Sequence, residues 1–392
     1  MPISAKVKEF IGRASWIRKM FEEGNELRAK HGAENVFDLT LGNPELEPPQ
    51  PFVDRLRELA ADPPAGMHRY MANSGYPWVR ARIAEVIAEE TGVPVEGRHV
   101  IMTVGAACAL NIALKSLLDE GDEVIVLAPY FVEYLFYIDN HGGKTTVVQT
   151  DESFQPDLAA IEAAITPKTK VIILNSPNNP TGVVYPQKLL EDLAGLLERA
   201  GERIGHPIYV ITDEPYRKIV YQEESSCSLA AFRNCIFATS HSKDLALPGA
   251  RIGYAVVHPE ADDAAEIVGA MTFAIRTLGF VNAPSLMQHA VAEMQNVSVD
   301  VEVYRRKRDM LYRGMMDAGY ECIEPGGAFY MFPRCPVDDD VEFVRRLQKE
   351  RILVVPGSGF GRTGYFRVAY CMREQVIEKA LPGLARVAAS YR

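Results

Sequence analysis

Five short stretches of this chain carry side chains whose types and order could do chemistry together. Ser240-His241-Ser242-Lys243 ends in an amine, and Pro248-Gly249-Ala250-Arg251-Ile252-Gly253 follows it with a guanidinium. Tyr209-Val210-Ile211-Thr212-Asp213-Glu214-Pro215-Tyr216 is a β-branched run closing on a carboxylate, 30 residues before the lysine. Asn175-Ser176-Pro177-Asn178-Asn179-Pro180-Thr181-Gly182 sets prolines and neutral amide donors just after an apolar run. Thr103-Val104-Gly105-Ala106-Ala107 ends a strand, turns on a glycine and opens a helix. An amine can form a Schiff base, and a carboxylate can hold a protonated ring nitrogen. Hydroxyls, a guanidinium and the free N–H groups of a helix start can hold a phosphate.

Each stretch alone has a plainer reading. A lysine between a strand end and a loop is usually a solvated charge. Asp213 alone could cap a turn, and many strand-to-helix turns use a glycine as Gly105 does. Position in the fold is what joins them. From residue 99 on, short apolar runs alternate with helix-length segments. Strands are predicted at His99–Val104, Glu123–Leu127, Thr145–Val148, Lys170–Leu174, Pro207–Thr212, Ile236–Ser240 and Gly253–Val257, with helices such as Ala106–Leu118 and Leu189–Arg199 between them. Such alternation builds a mostly parallel sheet covered on both faces, whose ligands sit at the carboxyl ends of the strands. Asn175, Asp213 and Ser240 stand at or beside such ends. Asn179–Pro180 is a candidate cis bond. After Pro284 the pattern becomes α+β: one long helix Ser285–Ala318, extended runs at Tyr320–Ile323, Ala328–Phe332, Ile352–Val355 and Tyr365–Ala369, a helix Val341–Glu350 and a final helix. A helix from about Lys6 to Lys30 precedes the proline-rich loop Gly42–Pro49.

Composition narrows the classes. The 392 residues are 47% hydrophobic with a formal charge of −10, which excludes a disordered chain and argues against a polyanion binder. The run Arg305-Arg306-Lys307-Arg308 reads as the solvated face of a helix. Six scattered cysteines without a CxxC pair and eight dispersed histidines favour reduced thiols and no metal site. The apolar run near Val124–Phe131 falls well short of the roughly 18 residues needed to span a bilayer, and Met1–Phe10 does not read as a secretory leader, so a cytoplasmic protein is expected. Gly359-Phe360-Gly361-Arg362-Thr363-Gly364 matches GxGxxG, but the alternating Tyr365–Tyr370 that follows is strand-like. A dinucleotide fingerprint must open a helix, so this match is a glycine-rich loop.

Taken in order, Gly42-Asn43-Pro44, Tyr70…Gly75, Asn178–Gly182, Asp213–Tyr216, Ser240–Lys243 with Arg251, and Phe366-Arg367-Val368 resemble the class I/II aminotransferases, which are fold-type I pyridoxal-phosphate (PLP) enzymes similar to aspartate aminotransferase. The resemblance covers nearly the whole chain. It implies a large domain with a mostly parallel seven-stranded sheet between helices plus a smaller α+β domain, with residues 1–50 as arm and part of the small domain, 51–284 as the PLP domain and 285–392 as the rest of the small domain. It implies Lys243 as the Schiff-base amine and proton carrier, Asp213 as partner of the pyridine nitrogen, Asn179 and Tyr216 as partners of the ring's 3-oxygen, and Phe131 as the stacking aromatic. The phosphate would meet Ala106, Ala107, Ser240, Ser242, Arg251 and, from a neighbouring subunit of a homodimer, Tyr70. Ala107 departs from relatives that carry a hydroxyl or a lysine there. Gly42, Asn179 and Arg367 would take the substrate, with the guanidinium of Arg367 forking onto its α-carboxylate. Arg276 stands near, but about one residue out of register with, an arginine that reads a distal carboxylate.

The activity implied is ping-pong transfer of an amino group from an L-amino acid to a 2-oxo acid, with aspartate and 2-oxoglutarate as the leading pair. Two rivals remain: a C–S lyase or other β/γ-eliminating enzyme on the same fold, and a non-enzymatic aminotransferase-like regulator. The second would need a DNA-binding module, for which the motifs starting at Gly42 and the acidic charge leave little place. Neither nucleic acid nor membrane is an expected partner.

Overall fold

The computed structural model describes residues 3–13, 15–222 and 226–391. Seven strands form one sheet in the order Val100–Thr103, Gly253–Val257, Cys235–Ser240, Tyr209–Asp213, Thr169–Leu174, Glu123–Ala128, Lys144–Gln149. All neighbours are parallel except Gly253–Val257, which runs antiparallel to both of its partners. Every predicted strand of this sheet is present, within one or two residues at its ends. The reason lies in the residue types: a strand covered on both faces is apolar at nearly every position, so it stands out from the amphipathic helices around it, and only the edge strand Lys144–Gln149 is largely exposed. Alternate residues feed two cores. Ile125, Ile172 and Val210 pack on one face, while Val124, Val171 and Ile211 pack on the other beside the helices Ala106–Leu117 and Ala264–Thr277.

A third core gathers the C-terminal elements and draws Leu39 and Tyr216 into them. Phe37–Asp38 pairs in parallel with Ile352–Leu353, so the start of the chain joins its end. A second, three-stranded sheet orders Val355–Pro356, Phe366–Ala369 and Tyr330–Met331. The GxGxxG stretch is a 3-10 turn, Gly357–Phe360, and a loop leading into that sheet's central strand.

Several expectations need correction. The predicted helix Ser285–Ala318 is two helices, Ser285–Val291 and Val301–Asp317, joined by a 3-10 turn and an extended link. Asp300 caps the second by accepting from the Glu302 amide, and Val299 N–H donates to Asp244 O at 2.7 Å, pinning the link. Tyr320–Ile323 forms no strand; Tyr320 is instead buried with its hydroxyl on Leu384 O. The basic run is not a solvated face. Lys307 is 1% exposed and paired with Glu45, and Arg308 stacks on Tyr221 at 5.0 Å while bonding Pro325 O. The cis bonds are Ala128–Pro129 and Ser176–Pro177, not Asn179–Pro180. Position 14, inside the predicted helix 6–30, lies outside the described residues; helices Ala5–Arg13 and Ser15–His31 flank it. No described helix is long and apolar enough to cross a membrane.

Candidate active site

The sheet's register gathers the motifs. Thr103 pairs with Gly253 and Gly253 with Ser240, while Asp213 lies beside Ala238 on the next strand. A glycine is required at 253, because a Cβ there would stand 2.4 Å from Thr239 O. Above this edge opens a cleft of about 350 Å³. Of the sequence-predicted residues, Gly42, Ala106, Ala107, Phe131, Asn179, Asp213, Tyr216, Ser240, Ser242, Lys243, Arg251 and Arg367 all line it. Tyr70 does not; it is 93% exposed on the surface of its own protomer. Arg276 is also outside, its guanidinium lying over the Phe273 ring.

At one end, the helix Ala106–Leu117 starts on Gly105 with φ +79° and no side chain capping it. The Arg251 guanidinium lies against Gly105, where a Cβ would meet it at 2.9 Å, and is held by the carbonyls of Pro248 and Val104. First-turn N–H groups, a guanidinium and the hydroxyls of Ser240 and Ser242 thus border one corner, a setting for an anion.

In the middle, Asp213 is buried. Tyr134 donates to its Oδ2 at 2.6 Å, while Oδ1 is buried with no hydrogen-bond partner among the described residues. Burial pushes its carboxyl up to about 6, against the opposing pull of the Tyr134 bond and the Lys243 charge. Asn175 donates to Asp213 O at 2.6 Å and accepts from the Asn179 amide at 2.7 Å, so the 175–182 loop is tied to the strand that carries the carboxylate. Lys243 donates to Gly42 O at 2.6 Å and lies 5.5 Å from the Phe329 ring centroid. Burial, helped by the nearby charges of Arg367 and Arg251, brings its ammonium down to about 8, with Cys371 and Asp213 opposing.

At the far end, Arg367 donates to Asn179 Oδ1 at 2.8 Å and to Thr40 O at 2.5 Å, between the rings of Tyr330 and Phe360. It is buried, its Nε is unpartnered, and no carboxylate among the described residues pairs with it. A buried guanidinium held by neutral acceptors alone keeps its charge for a visiting anion. The Tyr216 hydroxyl meets that of Tyr330 at 3.0 Å.

The family model for aminotransferase class I and II covers residues 34–384. The chain is a class I and II aminotransferase. It is 35% identical to the aspartate/prephenate aminotransferase of Thermus thermophilus, over 92% of this chain and 93% of that one. It is 33% identical to the aspartate aminotransferase of Thermotoga maritima, over 89% and 90%. Among solved structures, an amino transferase from Eubacterium rectale superposes with a TM-score of 0.96 at 37% identity, covering all of both chains. Thermus thermophilus aspartate aminotransferase with maleate gives 0.87 at 32%, over 99% of this chain and all of that one. This aminotransferase is therefore a transaminase of the aspartate aminotransferase fold, in a family that depends on PLP.

Sequence reasoning missed Tyr134, Asn175 as a tether, Tyr330 and Glu133, which also lines the cleft. Tyr134 had a signal: it sits three residues after Phe131, in a run dense in aromatics. Tyr330 had none, because its place depends on how the C-terminal sheet closes over the cleft.

Proposed function

We propose that this aminotransferase binds PLP through Lys243 and moves an amino group from an L-amino acid to a 2-oxo acid. One observation carries the assignment: a lowered lysine, a buried carboxylate with an open oxygen, and a buried guanidinium without a counter-charge share one cleft. The residues fit the cofactor. Asp213 Oδ1 has a free lone pair for a pyridine N–H, and the corner at Gly105 and Arg251 suits a phosphate, with Ala106, Ala107, Ser240 and Ser242 as further donors. Phe131 would stack on the ring, and Asn179 and Tyr216 would face its 3-oxygen.

When bound, the cofactor supplies an electron sink for the charge left when Cα loses a proton. The chain does the rest. Arg367 forks onto the α-carboxylate and, with Asn179 and the Gly42 backbone, orients Cα. Lys243, near neutrality because it is buried, can take and return the Cα proton at physiological pH. Asp213 remains ionised once a cation pairs with Oδ1. The names of the relatives favour aspartate as donor; we take 2-oxoglutarate as the acceptor. We assign Tyr70 to the phosphate of the neighbouring subunit in a homodimer, and take the division at about residues 50 and 284 as the domain plan. Loss of cofactor affinity in Tyr70→Phe with unchanged dimer mass supports the first; unchanged affinity removes it. The overall reading is tested by the visible absorption of protein incubated with PLP: a band is expected in the wild type and absent in Lys243→Ala. A wild type without a band, or a band that survives the substitution, overturns the assignment.

A further inference from the structure

Tyr330 belongs to none of the sequence motifs, yet it stands between three groups of the cleft. Its hydroxyl is 3.0 Å from that of Tyr216. Its ring lies under the Arg367 guanidinium, 4.7 Å from the centroid. Its Oη fills the space beside Gly42, 1.7 Å from where a Cβ would be built, so only glycine admits it. Both tyrosines are buried, and their rings meet edge to face.

A hydroxyl has one proton to give, and the bond between these two uses one of the pair's two protons. Both tyrosines border the cleft, and from the geometry alone either hydroxyl could donate to the other. Where Tyr216 gives its one proton to the cofactor's 3-oxygen, as in the reading above, the bond between the two tyrosines must use the Tyr330 proton. Donors in series also strengthen one another.

We propose that Tyr330 is a positioning residue: it donates to Tyr216 Oη, directs the Tyr216 proton into the cleft toward the cofactor's 3-oxygen, and holds Arg367 flat with its ring. The proposal rests on the PLP reading above. A donor at the 3-oxygen favours the form that has lost its proton, so weakening that donor raises the pH at which the bound cofactor's visible band titrates.

The test is a pH titration of that band in PLP-loaded wild type, Tyr330→Phe, Tyr216→Phe and the double variant, with KM for the amino acid measured alongside. Tyr330→Phe is expected to raise the midpoint by about half a unit to one unit, the size of one hydrogen bond. Its KM should stay within about twofold, because the ring under Arg367 is kept. The double variant should shift no further than Tyr216→Phe, since Tyr330 acts through Tyr216. Gly42→Ala, which crowds the Tyr330 hydroxyl off Tyr216, should shift the midpoint the same way and decides the matter if Tyr330→Phe does not fold. A Tyr330→Phe midpoint equal to wild type, or shifts that add in the double variant, overturns this proposal while leaving the PLP reading intact. A wild type that never develops a band overturns both.

Discussion

Asp213 makes a prediction in which stability and function move in opposite directions. Its carboxyl is raised from the ordinary 3.8 to about 6 by burial. At about 1.4 kcal/mol per unit, holding it ionised in the cofactor-free fold costs on the order of 3 kcal/mol. The sign follows from linkage. The folded state binds this proton more tightly than the unfolded chain, so below about pH 4 there is no penalty. Stability is lost as pH rises from about 4 to about 6, and the full cost persists above that. Asn at 213 cannot ionise, and its side-chain oxygen can still accept from Tyr134. Cofactor-free Asp213→Asn should therefore be more stable than wild type at pH 8, by about 1–3 kcal/mol. With an unfolding entropy of about 0.8 kcal/mol/K for a chain this long, that is a rise of about 1–4 °C in Tm. The gap should close as the pH is lowered toward 4. PLP affinity should move the other way, falling at least about tenfold as the charge-assisted contact is lost. Differential scanning fluorimetry of the cofactor-free proteins from pH 4 to 8, with a PLP titration at pH 8, reads both. A variant no more stable than wild type at pH 8, or a gap independent of pH, would mean that Asp213 carries no burial cost on ionising.

Arg367→Lys keeps the charge but loses the fork, and should raise KM for the amino acid about 10–100-fold with a smaller change in kcat; steady-state kinetics with an unchanged KM would remove Arg367 from the substrate. Lys243, lowered to about 8, reacts as the neutral amine, so the rate of PLP attachment should climb with pH and level off above about 8. A stopped-flow rate still climbing steeply at pH 10 would mean an ordinary, solvated lysine. Lys307→Ala should cost about 2–4 kcal/mol by opening a cavity and unpairing Glu45; a loss below about 0.5 kcal/mol in thermal unfolding would be the behaviour of a solvated surface charge.

The parts of the fold legible in the sequence are those where one local rule decides the outcome. The inner strands of the central sheet are buried on both faces, so Val124–Ala128 or Val171–Leu174 can be little else, and the residues closing each strand fall on one edge by topology. Most cleft residues follow from that edge alone. What was not legible depends on packing between distant segments. Arg305–Arg308 looks like a solvated face until Glu45 and Tyr221, far away in sequence, cover half of it. The helix predicted through Gln295–Asp300 is interrupted because Asp300 caps a new start and Val299 bonds to Asp244, a contact no periodicity encodes. Tyr330 is hidden for the same reason: only the closure of the second sheet over Gly42 brings it to Tyr216 and Arg367.

Single-turnover mixing of the PLP-loaded protein with one amino acid at a time, with no oxo acid present, tests amino-group transfer most directly. A suitable donor should bleach the visible band with release of one 2-oxo acid per site and no ammonia, and a second 2-oxo acid should restore it. Continued release of oxo acid and ammonia while the band persists would contradict amino-group transfer and assign the cleft to elimination.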